Sequence, residues 1–289
     1  MVSRLTRMER LNFLLTNRIP RKLFTHLMGW YSKIQSPTLT RLSISIWRIF
    51  SPDLDFDEAK KHSFNSLHEC FIRQLKEGVR PIDTYKGGVV SPCDGIVGSH
   101  GKIDNGVVYQ AKGFPYDVAD LIPDKALQKR LQNGCYVTLR LTSTMYHRFH
   151  APIDCAIDKV TYISGDTWNV NPIALSQIKN LFCKNERAFI ELKTGHKDGC
   201  LVLVPVAAIL VASMQFHCLE APLNLRYKGS NVLPCSARYN KGDEIGYFEH
   251  GSTILVFASS KFLINEGIRQ GERIKMGAPL LHKARFDSQ

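Results

Sequence analysis

Four side chains have the types that nucleophilic acyl chemistry needs: Ser252, His150, Asp94 and His147. Ser252 lies in His250-Gly251-Ser252-Thr253 and opens the last 38 residues of the chain. A Gly-Ser bond beside a turn can be attacked by its own serine, because a glycine has no Cβ and lets the hydroxyl approach its carbonyl. A serine hydroxyl is a weak nucleophile at neutral pH. An imidazole must take its proton, and a carboxylate must orient that imidazole and stabilise its charge. His150, in Tyr146-His147-Arg148-Phe149-His150-Ala151-Pro152, and Asp94, in Ser91-Pro92-Cys93-Asp94-Gly95, supply the base and the acid. Composition alone does not show that the three meet, and an Asp in a Pro/Gly turn taken by itself reads as a turn residue bonding its own backbone.

Other chemistries fit less well. A hydrolase of the nucleophile-elbow type wants G-x-S-x-G, and the serine here is flanked as His-Gly-Ser-Thr-Ile. His147 and His150 share a face in a helix and point to opposite sides if extended. They lack the Glu of a zinc-protease helix and an obvious third ligand, so no metal site is expected. His100, His196 and His217 sit in unrelated contexts and read as surface or satisfied core residues. The eight cysteines contain no CxxC pair, which speaks against a zinc ribbon and for free buried thiols.

The elements that must position these residues divide the 289-residue chain in two. Its net charge is +12, and residues 1–50 hold nine basic side chains against a single acid, Glu9. Those bases are interleaved with Phe13, Phe24, Trp30, Tyr31, Trp47 and Phe50, and Pro20 and Pro37 break the segment into about three helical pieces. No piece reaches the ~18 apolar residues of a membrane span, and no signal peptide is visible. The pattern predicts helices lying on an anionic membrane surface, aromatic side down and arginines toward phosphates. The alternative is that they simply pack on the rest of the protein. A nucleic-acid partner is not expected, since no recognised binding motif accompanies the bases.

From Phe56 to Lys76 the apolar spacing predicts a helix ended by Gly78 and Pro81. Beyond Val89, short apolar runs at 106–110, 135–141, 188–192, 200–212 and 253–257 alternate with turn residues and predict strands. The stretch from Leu201 to Met214, interrupted by Pro205, reads as a pair of core strands. The fold class is therefore α+β: a β-rich catalytic domain over 51–289 behind a helical, basic N-terminal membrane-associating segment over 1–50.

Several blocks, in order, resemble the bacterial phosphatidylserine decarboxylase family. They are Ser63-Phe64-Asn65 through Gly78-Val79-Arg80-Pro81-Ile82, then Ser91 to Gly95, then Tyr146 to Pro152, then Gly251-Ser252-Thr253. Between them Gly165-Asp166, Val170-Asn171-Pro172, Phe182 and Asn185-Glu186-Arg187 also match. The resemblance runs from about residue 40 to the C-terminus.

That resemblance implies a self-processing enzyme. Ser252, with His150 as base oriented by Asp94, attacks the Gly251 carbonyl, and an N-to-O acyl shift turns the amide into an ester. β-Elimination breaks the ester, and the resulting dehydroalanine tautomerises and loses ammonia to water, leaving a pyruvoyl cofactor derived from Ser252. Residues 1–251 become the large (β) chain and 252–289 the small (α) chain of a heterodimer. The pyruvoyl carbonyl takes up the amine of phosphatidylserine and acts as the electron sink for loss of CO2, giving phosphatidylethanolamine. His147 matches the histidine of the decarboxylation step. Arg148 reads equally as a holder of substrate phosphate or carboxylate and as a structural residue. The implied location is peripheral, on the cytoplasmic face of the cell membrane. The family has Leu where this chain has His250, for which a passive role is preferred. Two rival readings are a serine hydrolase that never cuts itself and a membrane-associated binding protein that has lost processing.

Overall fold

The computed structural model describes residues 6–17, 20–110, 114–195, 199–209, 213–249 and 252–284. Three helices open it: α1 (Arg7–Asn17), α2 (Arg21–Ser32) and α3 (Pro37–Phe50). They are separated at Pro20 and Pro37, as expected. Ser36 caps α3 by accepting from the Leu39 amide, and Pro37 sits in the first turn, where its missing N–H does no harm. No described helix is long and apolar enough to cross a membrane.

Eleven of the fifteen large apolar side chains left exposed among the described residues lie on these helices, Trp30 and Phe50 among them. Two bases fasten the segment to the rest of the protein. The Arg21 guanidinium lies 3.6 Å over the Trp168 ring and pairs with Asp166 at 2.6 Å, and Lys33 pairs with Glu249 at 3.1 Å. The helices thus dock through part of their basic surface, and Arg21 is turned inward rather than toward solvent.

Between Phe56 and Lys76 the structure departs from the predicted helix. Only α4 (Leu67–Phe71) is helical, capped by Ser66. The preceding chain folds back, with Lys60 N donating to Gln74 O and Lys76 N to Glu58 O, both at 2.9 Å. Phe56, Ala59, Phe64 and Cys70 gather into a small cluster with Ile44 and Trp47 of α3. Their spacing reflects burial in that cluster, while Asp55 and Ser66 hold nearby amides and compete with a continuous helix.

The remainder is mostly antiparallel sheet, numbered along the chain. One eight-stranded sheet runs in the order β12 (Val232–Tyr239), β7 (Cys155–Ile163), β8 (Arg187–Leu192), β9 (Leu201–Ala207), β14 (Ser252–Ala258), β5 (Cys135–Leu141), β2 (Gly95–Lys102), β16 (Arg273–Ile274). A second sheet runs β11 (Leu223–Asn224), β10 (Ser213–Phe216), β13 (Glu244–Phe248), β6 (Arg148–His150). A third holds β1 (Gly88–Val90), β17 (Pro279–Lys283) and β15 (Phe262–Ile264), and β3 (Val107–Tyr109) pairs with β4 (Pro115–Asp117).

Both faces of the large sheet are covered. On one, Ile254, Val256, Val137 and Leu203 pack against Phe149, Met214, Phe216 and Phe248 of the second sheet. On the other, Leu255, Phe257, Tyr136 and Val202 meet the short helices α5 (Val118–Leu121), α6 (Lys125–Leu131), α7 (Pro172–Gln177) and α8 (Leu181–Lys184). Such two-sided burial explains why the inner strands read as continuous apolar runs rather than alternating ones. The architecture is α+β and β-rich, and the 201–214 run resolves into β9 and β10 as expected.

Candidate active site

The apolar run Ile254 to Phe257 makes β14 an inner strand, paired with β9 on one side and β5 on the other. Ser252 is its first residue, opposite Ala207 and Leu141. It is fully buried, and its Oγ has no hydrogen-bond partner among the described residues. Leaving a buried hydroxyl unpaired costs about 1–3 kcal/mol, so such a group calls for an explanation in use. Gly251 and His250 lie outside the described residues.

Leu141 pairs with Ser252, and the His147 carbonyl accepts from the Phe248 amide, four residues before Ser252, at 2.9 Å. Residues 142–146 therefore run between the strand partner of Ser252 and His147. The His147 ring is wholly buried and lies against Phe71, with ring centroids 4.1 Å apart. Its Nδ1 is 2.8 Å from the Met145 carbonyl and so carries the hydrogen, which leaves Nε2 buried as a bare, unpartnered lone pair. Burial pushes its pKa down to about 3, overriding the Met145 hydrogen bond. His147 is thus a neutral imidazole that can accept a hydrogen bond or a proton.

His150 occupies a different environment, as the extended β6 requires for residues three apart. Its Nδ1 donates to the Gly242 carbonyl at 2.8 Å, and its Nε2 accepts from the Tyr146 hydroxyl at 2.9 Å. Burial lowers its pKa, against the Gly242 hydrogen bond and the charge of Glu244. Both histidines are therefore neutral.

Asp94 is buried, and its oxygens accept from Arg80 Nε at 2.8 Å, Arg80 Nη2 at 2.5 Å and the Met276 amide at 2.8 Å. The direct Asp94–His150 hydrogen bond implied by a triad is not formed in this structure. Gly242 and Tyr146 orient His150, and Asp94 acts on it only through its charge. Nor is Asp94 a self-bonded turn residue. With Arg73, Arg80, Thr144 and Tyr146 it walls a cavity of ≈ 270 Å³. Among the described residues no hydrogen bond joins Ser252 to either His150 or Asp94.

Arg148 is structural. Its guanidinium donates to the Ile72 carbonyl at 2.8 and 2.6 Å and pairs with Glu244 at 2.6 Å, tying the end of α4 to β13. His217 also pairs with Glu244, and His196 lies outside the described residues. Reasoning from residue types passed over Tyr146 and Arg80. Both sit inside the matched blocks, which is the only signal that marks them in the sequence.

A fully buried serine heading an inner strand cannot receive an external ester as a surface hydrolase does. Comparisons with known proteins place the chain more narrowly. Residues 67–282 match the family model described as phosphatidylserine decarboxylase. A phosphatidylserine decarboxylase proenzyme of Shewanella sp. (strain W3-18-1) is 32% identical over 282 residues, covering 93% of this chain and 96% of the relative. That of Vibrio vulnificus (strain YJ016) is 33% identical over 279 residues, and that of Brevibacillus brevis is 31% identical over 274. The chain belongs to the phosphatidylserine decarboxylase family.

Proposed function

We infer that this chain is a self-processing precursor that cuts itself between Gly251 and Ser252 and then decarboxylates phosphatidylserine. The observation that carries the reading is the Ser252 hydroxyl, buried without a partner at the head of an inner strand. Its proton passes to Nε2 of His150, which must first exchange its bond from Tyr146. The negative charge of Asp94 favours the imidazolium that results. Attack on the Gly251 carbonyl and elimination then divide the chain into residues 1–251 and 252–289.

The small chain keeps β14 between β9 and β5. It also supplies β16 to the large sheet and two of the three strands, β15 and β17, of the sheet that holds β1. Buried Ile254, Leu255, Val256 and Phe257 contribute roughly 2 kcal/mol each, on the order of 8 kcal/mol holding the two chains together. A pyruvoyl group formed from Ser252 fits this site, since no described residue claims the position of its Oγ. When present, such a group supplies the electron sink for loss of CO2. His147 offers Nε2 to a substrate donor such as the amine.

The exposed apolar side chains of α1 to α3, together with the basic charge of residues 1–50, support peripheral binding to an anionic membrane on its cytoplasmic face. A cavity of ≈ 390 Å³ lined by Met28, Ile46, Trp47, Leu67 and Phe71 ends at the ring that lies on His147, and it suits a lipid acyl chain. Intact mass of the freshly expressed protein tests the reading. Two chains with a blocked residue 252 are expected, and Ser252→Ala is expected to stay whole. Splitting of Ser252→Ala, or a persistent single wild-type chain with no CO2 release, overturns it.

A further inference from the structure

Asn185-Glu186-Arg187 takes no part in the chemistry so far described. Two of its members are occupied in holding the fold. The Asn185 amide donates to the Trp168 and Ala207 carbonyls, and Arg187 donates to the carbonyls of Leu121, Cys183, Asn185 and Asp120. Glu186 is different. It is wholly buried; Oε1 accepts from the Tyr162 hydroxyl, and Oε2 has no partner among the described residues.

The sheet register gives Glu186 a definite place relative to Ser252. Arg187 pairs with Val206, and the Ala207 amide donates to the Glu186 carbonyl at 2.8 Å, so Glu186 stands opposite Ala207. Ala207 stands opposite Ser252. Directly paired residues share a face, so Glu186, Ala207 and Ser252 form one row, on the face that also carries Ala188, Leu203 and Ile254. Two interstrand spacings, roughly 10 Å, separate the Cα atoms of Glu186 and Ser252. The side chain between them is the single methyl of Ala207.

A cavity of ≈ 340 Å³ connects to this row only through neighbours: its walls include Asn224, whose carbonyl is 3.1 Å from the Tyr162 hydroxyl, and Glu249, three residues before Ser252. Lys33 is already paired with Glu249 there, so Arg226 is the lining cation that adds positive charge suited to an anionic headgroup. The Tyr162 hydroxyl has one hydrogen and two acceptors, Glu186 Oε1 and the Asn224 carbonyl. Among the described residues no cation is paired with Glu186, and Lys22 of α2 acts on it only through its field. A buried carboxylate so placed is unfavourable, which puts a proton on the unpartnered oxygen. Burial raises the carboxyl pKa to about 7, against Tyr162 and Lys22. His147 is not a comparable acid, because its only hydrogen is given to Met145.

We propose that Glu186 is the proton donor of the decarboxylation step, delivering from Oε2 the hydrogen that replaces the departing carboxylate. This rests on the decarboxylase reading above. The bond from the α-carbon to the carboxylate breaks, CO2 leaves, and the electron pair stays with that carbon. The Oε2–H bond breaks, its proton joins the carbon, and Glu186, now a carboxylate, regains a proton from water.

Glu186→Gln keeps the volume and the bond from Tyr162 but has no acidic proton. It is expected to split like wild type by intact mass and to hold KM for phosphatidylserine within about twofold. Its kcat should fall about 100-fold or more, the scale of a lost general acid. A structural role would leave kcat near wild type, and kcat within threefold overturns the proposal. Infrared spectra of the uncut Ser252→Ala chain give a readout independent of turnover. A protonated-carboxyl band that shifts with carbon-13 glutamate, fades as pH rises through about 7 and is missing in Glu186→Gln is expected. Its absence overturns the proposal even if Glu186→Gln fails to fold. Wild-type protein that neither splits nor releases CO2 would instead refute the decarboxylase reading.

Discussion

Replacing Arg80 with methionine isolates the ion pair that now holds Asp94. The Arg80 guanidinium donates to Asp94 at 2.8 and 2.5 Å and pairs with Glu58 at 2.7 Å; its side chain is 7% exposed and that of Asp94 11%. Burial opposes the Arg80 charge, yet Asp94 and Glu58 outweigh it and hold the guanidinium above its ordinary pKa. Methionine fills similar space but leaves Asp94 with the Met276 amide alone. Removing one partner of a buried pair costs about 3–5 kcal/mol. Here the pair walls a cavity and Glu58 is 40% exposed, so water softens the loss and the lower end, about 3 kcal/mol, is expected. The assay is urea unfolding of the Ser252→Ala chain, kept whole so that one transition is read. With a slope near 3 kcal/mol/M for a chain of this size, the midpoint falls by roughly 1 M. Adding Asp94→Asn should recover part of the loss, because the unpaired charge is then gone. A midpoint within about 0.3 M of the parent, or strict additivity of the two changes, refutes the reasoning.

Tyr146→Phe removes the donor on His150 Nε2; losing one neutral hydrogen bond of about 1 kcal/mol should free the base and speed splitting roughly fivefold, measured by gel time course. Slower splitting would show that Tyr146 relays the proton instead. The folded pKa of His147, about 3 against an ordinary 6.5, means the unfolded chain binds more protons between those values, so this stability is present above pH 6.5 and is lost on acidification. Glu186, raised to about 7 from 4.5, has the opposite sign: its contribution is present below pH 4.5 and is lost as pH rises through 7. The two oppose each other between pH 4.5 and 6.5, so Glu186→Gln in the uncut chain should make stability climb more steeply with pH there; parallel urea-midpoint profiles contradict this. Deleting residues 1–50 should weaken binding to anionic vesicles, most visibly at low salt, and unchanged co-sedimentation would favour helices that only pack on the protein.

How much of this was legible varied with how local each signal is. Pro20 and Pro37 break a helix wherever they stand, so α1 to α3 could be read directly. The inner strands β5, β8, β9 and β14 are apolar because both faces of their sheet are covered, and they too showed as runs. Phe56 to Lys76 misled, because spacing that suits one helix face also suits a folded-back segment gathered around Trp47. In the site, His150 and Asp94 were recognisable by type, but their partners were not. Arg80 lies 14 residues before Asp94, and Gly242 lies 92 residues after His150.

The amino-acid sequence by itself determined the Gly251-Ser252 pair on which the proposed cleavage rests, the blocks that place the chain in its family, and the contrast between a basic, aromatic N-terminal segment and a β-rich remainder. These depend on residue type and short-range order, which need no third dimension. Tertiary structure alone decided the chemical state of each group. It buried Ser252 without a partner, made His147 a neutral acceptor by desolvation, gave Asp94 to Arg80, and set Glu186 in the same row as Ser252 across β9. Burial and partner choice are properties of what the sheet brings together from distant positions, and those properties set protonation.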